Sequence, residues 1–338
     1  MFFTSPIGLG HATRDIAIAD KLGISKSELM FVSGEGAPAL IEKSGYRCLD
    51  LYRPEKFSVD NGQLQHSFRW LMAYYSYYKK CKEIAGRVIA ENPGPVISDE
   101  DFASIAIAEE AGRKHVLVTD ILETHFTKGA ASLVEKKMNR AMREMMDRCD
   151  CVIIPDVGED RGNLRYVGPI VREVSADRET LRRRFNLARK TIVVSVGGTD
   201  AGRYLIEKTI GAYRKLKGRL DADLLVVPGP SLKLPDSPDY RNLGFVENLH
   251  ELVYAADLVI SLAGRSTMDE SMAYGTPGIF IPIKGHFEQE EGAARLGYSH
   301  GDILRLEPLI EETIGRRRDS VNAAGAKNAA KIISALFR

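Results

Sequence analysis

The chain has 338 residues, more than a single hydrophobic core usually encloses, so two domains are expected. With 44% hydrophobic and 28% charged residues it has the make-up of a soluble globular protein, which excludes a disordered chain. Against 46 acidic side chains stand 47 basic ones, a net charge of +1, so no nucleic-acid partner is expected.

Met1-Phe2-Phe3-Thr4-Ser5-Pro6 has no basic region followed by a long apolar run and does not read as a signal peptide. No stretch approaches the roughly 18 apolar residues that span a bilayer. The expectation is a cytoplasmic protein, with peripheral contact at the inner face of the membrane left open. The cysteines Cys48, Cys81, Cys149 and Cys151 are scattered, and the one-residue gap of the last two is not a zinc spacing. They fit a reducing compartment.

After the opening strand comes Gly8-Leu9-Gly10-His11-Ala12-Thr13-Arg14. Its glycines Gly8 and Gly10 let the backbone turn tightly and approach a ligand. His11 falls at a helix start, where a neutral imidazole can take a proton from a hydroxyl or water. The same histidine also reads as a helix cap. The dinucleotide fingerprint is excluded, because its third glycine is missing.

Trp70, Tyr74, Tyr77, Cys81, Ile84 and Val88 follow helical spacing, with Tyr75, Tyr78, Lys79, Lys80 and Lys82 beside them. Such a stripe fits a core-facing helix better than a membrane interface. Asp99-Glu100-Asp101 follows the strand Pro95–Ser98 and reads as a helix start rather than a metal site.

Val116–Val118, Val152–Ile154, Ile192–Val194, Leu224–Val227, Leu258–Ile260 and Ile279–Ile281 are apolar runs without alternation. That is how strands covered on both faces of a parallel sheet read. Helical segments lie between them, so the fold class is doubly wound α/β. The break is expected near Tyr166–Ile170, giving domains 1–166 and 167–318, with a final helix over 319–337 packing back on the first.

In open α/β sheets ligands bind beyond the carboxyl ends of strands. In the second half Ser195-Val196-Gly197-Gly198-Thr199-Asp200 and Ala263-Gly264-Arg265-Ser266-Thr267 both follow strands, and the latter opens a helix. Free N–H groups there can bind a diphosphate, and Glu270, one turn further in, can accept the hydroxyls of a ribose. A capped helix with Ser266 or Thr267 as cap reads equally well. His286 to Glu291 opens another helix.

The run Phe245-Val246-Glu247-Asn248-Leu249, Tyr254 to Ser261, Gly264, Thr267, Glu270, Gly275-Thr276-Pro277, Pro282 and Gln289 resembles the C-terminal signature of the MurG-like glycosyltransferases. These GT-B enzymes include the diacylglycerol glycosyltransferases. Gly8 to Arg14 is similar to the family's first glycine-rich loop, and Val118 to His125 to the threonine-aspartate-histidine stretch of its glycolipid synthases.

The resemblance implies two Rossmann-like domains facing each other across a cleft, and transfer of a sugar from a UDP-sugar to a lipid or small-molecule acceptor. It implies that Phe245 and Val246 hold the base, Gly264, Arg265, Ser266 and Thr267 the diphosphate, Glu270 the ribose, and Gln289 the sugar. Gly197, Gly198 and Thr199 would close on the donor. His11 would be the base, with Asp120 the second candidate. No metal or other cofactor is expected. Arg265, where a small residue is usual, and His286-Phe287-Glu288 depart from the pattern. A sugar-nucleotide hydrolase of nonulosonate synthesis, a C2 epimerase and a non-catalytic donor-binding subunit are the rival readings.

Overall fold

The computed structural model describes residues 1–54, 59–64, 68–125, 132–197, 200–230, 232–235, 237–321 and 323–337. The chain divides into two units, Met1–Lys56 with His66–Val171 and Ala323–Arg338, and Phe57–Gln65 with Arg172–Asn322.

The first unit is built on β1 (Phe2–Thr4), β2 (Met30–Gly34) and β3 (Arg47–Tyr52). The short hairpin β4 (Val59–Asp60) and β5 (Gln63–Leu64) belongs to the second unit, and β6 (Val96–Asp99), β7 (His115–Val118), β8 (Cys151–Ile154) and β9 (Leu164–Tyr166) return to the first. These seven strands run parallel in the order β3-β2-β1-β6-β7-β8-β9. Phe2, Phe3, Val116, Leu117, Val152 and Ile153 are fully buried, as a sheet covered on both faces demands. Its helices are α1 (Gly10–Ala19), α2 (Ala37–Lys43), α3 (Phe68–Glu91), α4 (Phe102–Glu110) and α5 (Ser132–Arg148).

The second unit carries α6 (Arg178–Arg184), β10 (Lys190–Ser195), α7 (Arg203–Leu216), β11 (Ala222–Val227), β12 (Arg241–Asn242) and α8 (Leu249–Ala255). It continues with β13 (Leu258–Leu262), α9 (Arg265–Tyr274), β14 (Gly278–Ile281), α10 (Phe287–Arg295) and α11 (Leu306–Thr313), and α12 (Gly325–Leu336) rejoins the first unit. The sheet order is β12-β11-β10-β13-β14, again all parallel. Each of the six apolar runs lies inside a strand of one of the two sheets. Both units are doubly wound Rossmann-like α/β folds.

Three boundaries differ from the sequence reading. The first unit runs on to Val171 rather than 166, because Val167 and Ile170 are buried in it and Val167 and Gly168 donate to the carbonyls of Ile154 and Asp156 (both 3.0 Å). The last helix begins at Gly325, not 319. Residues 318 and 321 stay on the second unit by donating to Gly275 and Ala273 (both 2.9 Å). The hairpin β4–β5 is tied to the second unit by reciprocal bonds between Leu64, Lys284 and Gly62.

The second half of α3 is core-facing, with Cys81, Ala85, Val88 and Ile89 buried and Tyr77 and Tyr78 packed against them. Tyr75 is exposed, and the side chains of Trp70 and Tyr74 lie outside the described residues. No described helix is long and apolar enough to cross a membrane.

Candidate active site

In the first sheet the strand order reverses between β1 and β6, the crevice where doubly wound sheets bind ligands. The charged residues gather there. His11, in the first turn of α1, contacts Asp99 at the end of β6, Nδ1 to Oδ1 at 2.8 Å. Arg14, one turn further along, holds the same carboxylate at two points, Nε to Oδ2 at 2.7 Å and Nη2 to Oδ1 at 2.5 Å. Its Nη1 reaches Asp120, after β7, at 3.5 Å, and Nη2 lies 4.0 Å from Glu100. His11 and Asp120, two separate candidates in the sequence, are thus joined through Arg14.

Burial pushes the Asp99 carboxyl up, but the Arg14 guanidinium and His11 outweigh it and hold it below the usual carboxylate range. A carboxylate at Asp99 can only accept, so Nδ1 of His11 donates to it, and in a neutral imidazole the lone pair then lies on Nε2. Arg14 Nη2, 3.3 Å from that Nδ1, is then a neighbour on a shared carboxylate rather than a donor to the ring. The imidazole is one-fifth exposed, enough for a substrate to reach it. Leu9 is the N-cap of α1 and no side chain caps it, so His11 is not a helix cap.

Asp99 and Arg14 are the partners that sequence reasoning missed. Asp99 ends β6 instead of opening a helix; the cap of α4 is Asp101, which accepts from Ala103 N at 3.1 Å. Asp15 lies behind the cluster, fully buried, accepting from Thr4 Oγ1 at 2.5 Å. Burial, then the charge of Asp99, raises its pKa, against the opposing Thr4 hydroxyl and Arg14 charge.

The second sheet reverses between β10 and β13. Gly197 follows β10 with φ +77°, and Gly264 follows β13 as the N-cap of α9, with no side-chain cap. The reading of Ser266 or Thr267 as the cap is therefore corrected: they lie inside the helix. Gly198 and Thr199 lie outside the described residues. Arg265 pairs within the helix, Nε to Asp269 Oδ2 at 2.9 Å. Phe245 and Val246 sit half-buried in the loop before α8.

Glu270 is buried and bound by Arg172, whose Nε and Nη2 both lie 3.3 Å from Oε1. Arg172 was not singled out in the sequence; its Nη1 also donates to Glu247 O at 3.1 Å, and Tyr274 Oη donates to its carbonyl at 2.6 Å. Burial raises the Glu270 pKa and Arg172 opposes that rise. Among the described residues Oε2 has no protein partner. Gln289, on α10, accepts from Ile283 N at 3.0 Å through Oε1, which leaves its amide N–H groups as donors.

Residues 191–313, nearly the whole of the second sheet and its helices, match the glycosyltransferase family 28 C-terminal domain. An uncharacterized glycosyltransferase of Methanosarcina acetivorans is 26% identical over 322 residues, covering 87% of this chain and 82% of its own. The UDP-N-acetylglucosamine–N-acetylmuramyl-(pentapeptide) pyrophosphoryl-undecaprenol N-acetylglucosamine transferase of Clostridium perfringens is 24% identical, covering 82% and 76%. Among solved structures, the glycotransferase of kitacinnamycin superposes with a TM-score of 0.64 at 15% identity, covering 100% of this chain and 98% of that one. The architecture is that of the GT-B glycosyltransferases. The chain is similar to the MurG-like glycosyltransferases, and the family 28 domain in its second unit marks it as an enzyme of nucleotide-sugar transfer.

Proposed function

We propose that the donor is a UDP-sugar bound by the second unit and that His11, oriented by Asp99, is the base that activates an acceptor hydroxyl. The observation that carries this reading is the 2.8 Å contact between His11 Nδ1 and an ionised Asp99, which leaves Nε2 able to accept a proton. The acceptor oxygen then attacks the anomeric carbon as its proton passes to Nε2, and the bond to the diphosphate breaks. Arg14 holds Asp99 ionised while His11 becomes positive. Asp120, tied to Arg14, is the second candidate for orienting the acceptor.

On the donor side Glu270 Oε2 would take the ribose hydroxyls, the half-buried Phe245 and Val246 the base, and the first turn of α9, Gly264 to Thr267, the diphosphate. Helix N-termini favour such anions, which supports a chemical step without a metal. Gly197, Gly198 and Thr199 would contact the diphosphate or sugar, and Gln289 would donate to a sugar hydroxyl. The acceptor is a small or lipid-linked alcohol, met in the cytoplasm or at the inner face of the membrane; the Clostridium perfringens relative is named for an undecaprenol-linked acceptor.

Incubating the protein with UDP-, ADP- and GDP-sugars and a mixture of soluble and lipid-linked alcohols, then analysing products, tests this. A glycosylated acceptor formed from a UDP-sugar is expected. Free sugar alone would mean hydrolysis, and an altered sugar nucleotide would mean epimerisation; either result overturns the proposal.

A further inference from the structure

Between β3 and α3, both of the first unit, the chain contributes the hairpin β4–β5 to the second unit. Its turn is Asn61-Gly62, with both residues at positive φ (+46° and +73°), the pair that a two-residue hairpin turn favours. A lone hairpin is marginal at best in water, so its neighbours must hold it. Loop tips usually face water, yet Gly62 is buried.

Two sets of contacts hold the hairpin. Lys284, in the loop after β14, donates its N–H to Gly62 O at 2.8 Å and accepts from Leu64 N at 2.9 Å. Gln63 and Lys284 thereby pair in parallel. The turn also closes on two rings: a Cβ on Gly62 would come within 3.1 Å of both Tyr204 and His300. Tyr204 lies in the first turn of α7, and His300 Nδ1 is 3.1 Å from Pro282 O.

The loop that the hairpin grips also anchors Gln289. Ile283, next to Lys284, donates its N–H to Gln289 Oε1 at 3.0 Å, and its carbonyl accepts from His286 N at 3.0 Å. With Oε1 held there, the amide N–H groups of Gln289 keep one direction. Hairpin, loop and Gln289 form one hydrogen-bonded series, in which fixing the Lys284 peptide fixes the Ile283 N–H beside it.

We infer that this hairpin determines which sugar the donor site prefers, by positioning Gln289 through the Lys284 and Ile283 peptides. The inference rests on the reading of the second unit as the UDP-sugar site and of Gln289 as a sugar ligand. A donor group held in one place favours a hydroxyl at one ring position and leaves the epimer without that bond. A loose loop would let Gln289 follow either sugar. The hairpin acts through Gln289 and is a positioning element.

The test is equilibrium binding of UDP, UDP-glucose, UDP-galactose and UDP-N-acetylglucosamine to the full chain without acceptor. The tightest UDP-sugar should exceed the weakest by at least about fivefold. Leu64→Pro removes the N–H given to Lys284 and should bring the three within about twofold of one another, with UDP affinity unchanged. Gly62→Ala, strained by its positive φ and crowded by both rings, should act the same way. Gln289→Ala should also abolish the preference, and adding Leu64→Pro to it should change nothing more. A folded Leu64→Pro protein that keeps its preference, or effects that simply add in the double variant, overturns the inference alone. So does equal binding of the three sugars to the unaltered protein, or a loss of UDP affinity in Leu64→Pro that matches the loss for the sugars. Absence of UDP binding, or a preference intact in Gln289→Ala, overturns the donor reading and the inference with it.

Discussion

Asp99 is completely buried, yet Arg14 and His11 hold its carboxyl below the usual range, and a carboxylate there places the proton of a neutral imidazole on Nδ1 of His11. Replacing Asp99 with asparagine keeps the shape but lets the amide donate to Nδ1, which moves the ring proton to Nε2 and removes the base. Both Asp99→Asn and His11→Ala should therefore lower the single-turnover rate by roughly a hundredfold or more, with UDP affinity unchanged. Near-normal turnover in either folded variant would take His11 out of the mechanism and bring Asp120 forward. Glu270 needs a gentler change, because alanine would strip Arg172 of its buried partner, a loss of about 3–5 kcal/mol in stability. Glu270→Gln keeps an oxygen for Arg172 and should cost about 1.5–3 kcal/mol in UDP affinity. The loss should be smaller for 2′-deoxy-UDP, which lacks one of the hydroxyls; equal losses would count against a ribose contact.

At the scale of elements, how α7 and α8 meet their neighbours matters most. A Cβ at Gly202, the N-cap of α7, would fall 2.0 Å from the Cβ of Val196 just after β10, so only glycine lets the helix begin there. Gly202→Ala should destabilise the second unit by about 1–3 kcal/mol and disturb the Gly197 turn, measurable by urea unfolding. In α8, His250 donates from Nε2 to Glu173 O at 3.2 Å while its Nδ1 is buried with no hydrogen-bond partner among the described residues. Burial, then the Arg172 charge, lowers its pKa to about 3. The unfolded chain takes up this proton below about pH 6.5, and the folded chain does not until far lower. Stability should therefore fall as the pH drops from about 6.5 towards 3, by up to about 1.4 kcal/mol per unit, and His250→Gln should flatten that slope. A slope unchanged in the variant would place the acid sensitivity elsewhere.

For the whole molecule, the two units have separate cores, and the proposed donor residues all lie in the second. UDP should raise the melting temperature of that unit more than ADP or GDP does, and a chelator should not abolish the shift. At a hundredfold excess over Kd the stabilisation is about 2.7 kcal/mol. Equal shifts for the three nucleotides, or a shift lost on chelation and restored by a divalent ion, would contradict the donor reading.

The buried parallel strands were legible in the sequence because a strand covered on both faces must be apolar throughout, as Ile192–Val194 and Leu258–Ile260 are. So were the loops that follow them, since glycine and hydroxyl residues mark where backbone must turn. Pairings between distant segments were not. His11 and Asp99 are 88 positions apart, Arg172 and Glu270 98, and no local period links them. Asp99 looked like part of an acidic helix start because charge density is local, whereas its role comes from β6 lying next to β1 in the sheet. The return of α12 to the first unit was legible as a direction, but its start at Gly325 was not. A Cβ there would lie 2.2 Å from Pro169 O, a close approach that only the folded backbone creates. The sequence by itself determined which segments are buried and which glycine- and hydroxyl-bearing loops follow the strands. The tertiary structure decided which charges meet, because the strand order of the sheet brings together groups that the chain keeps apart.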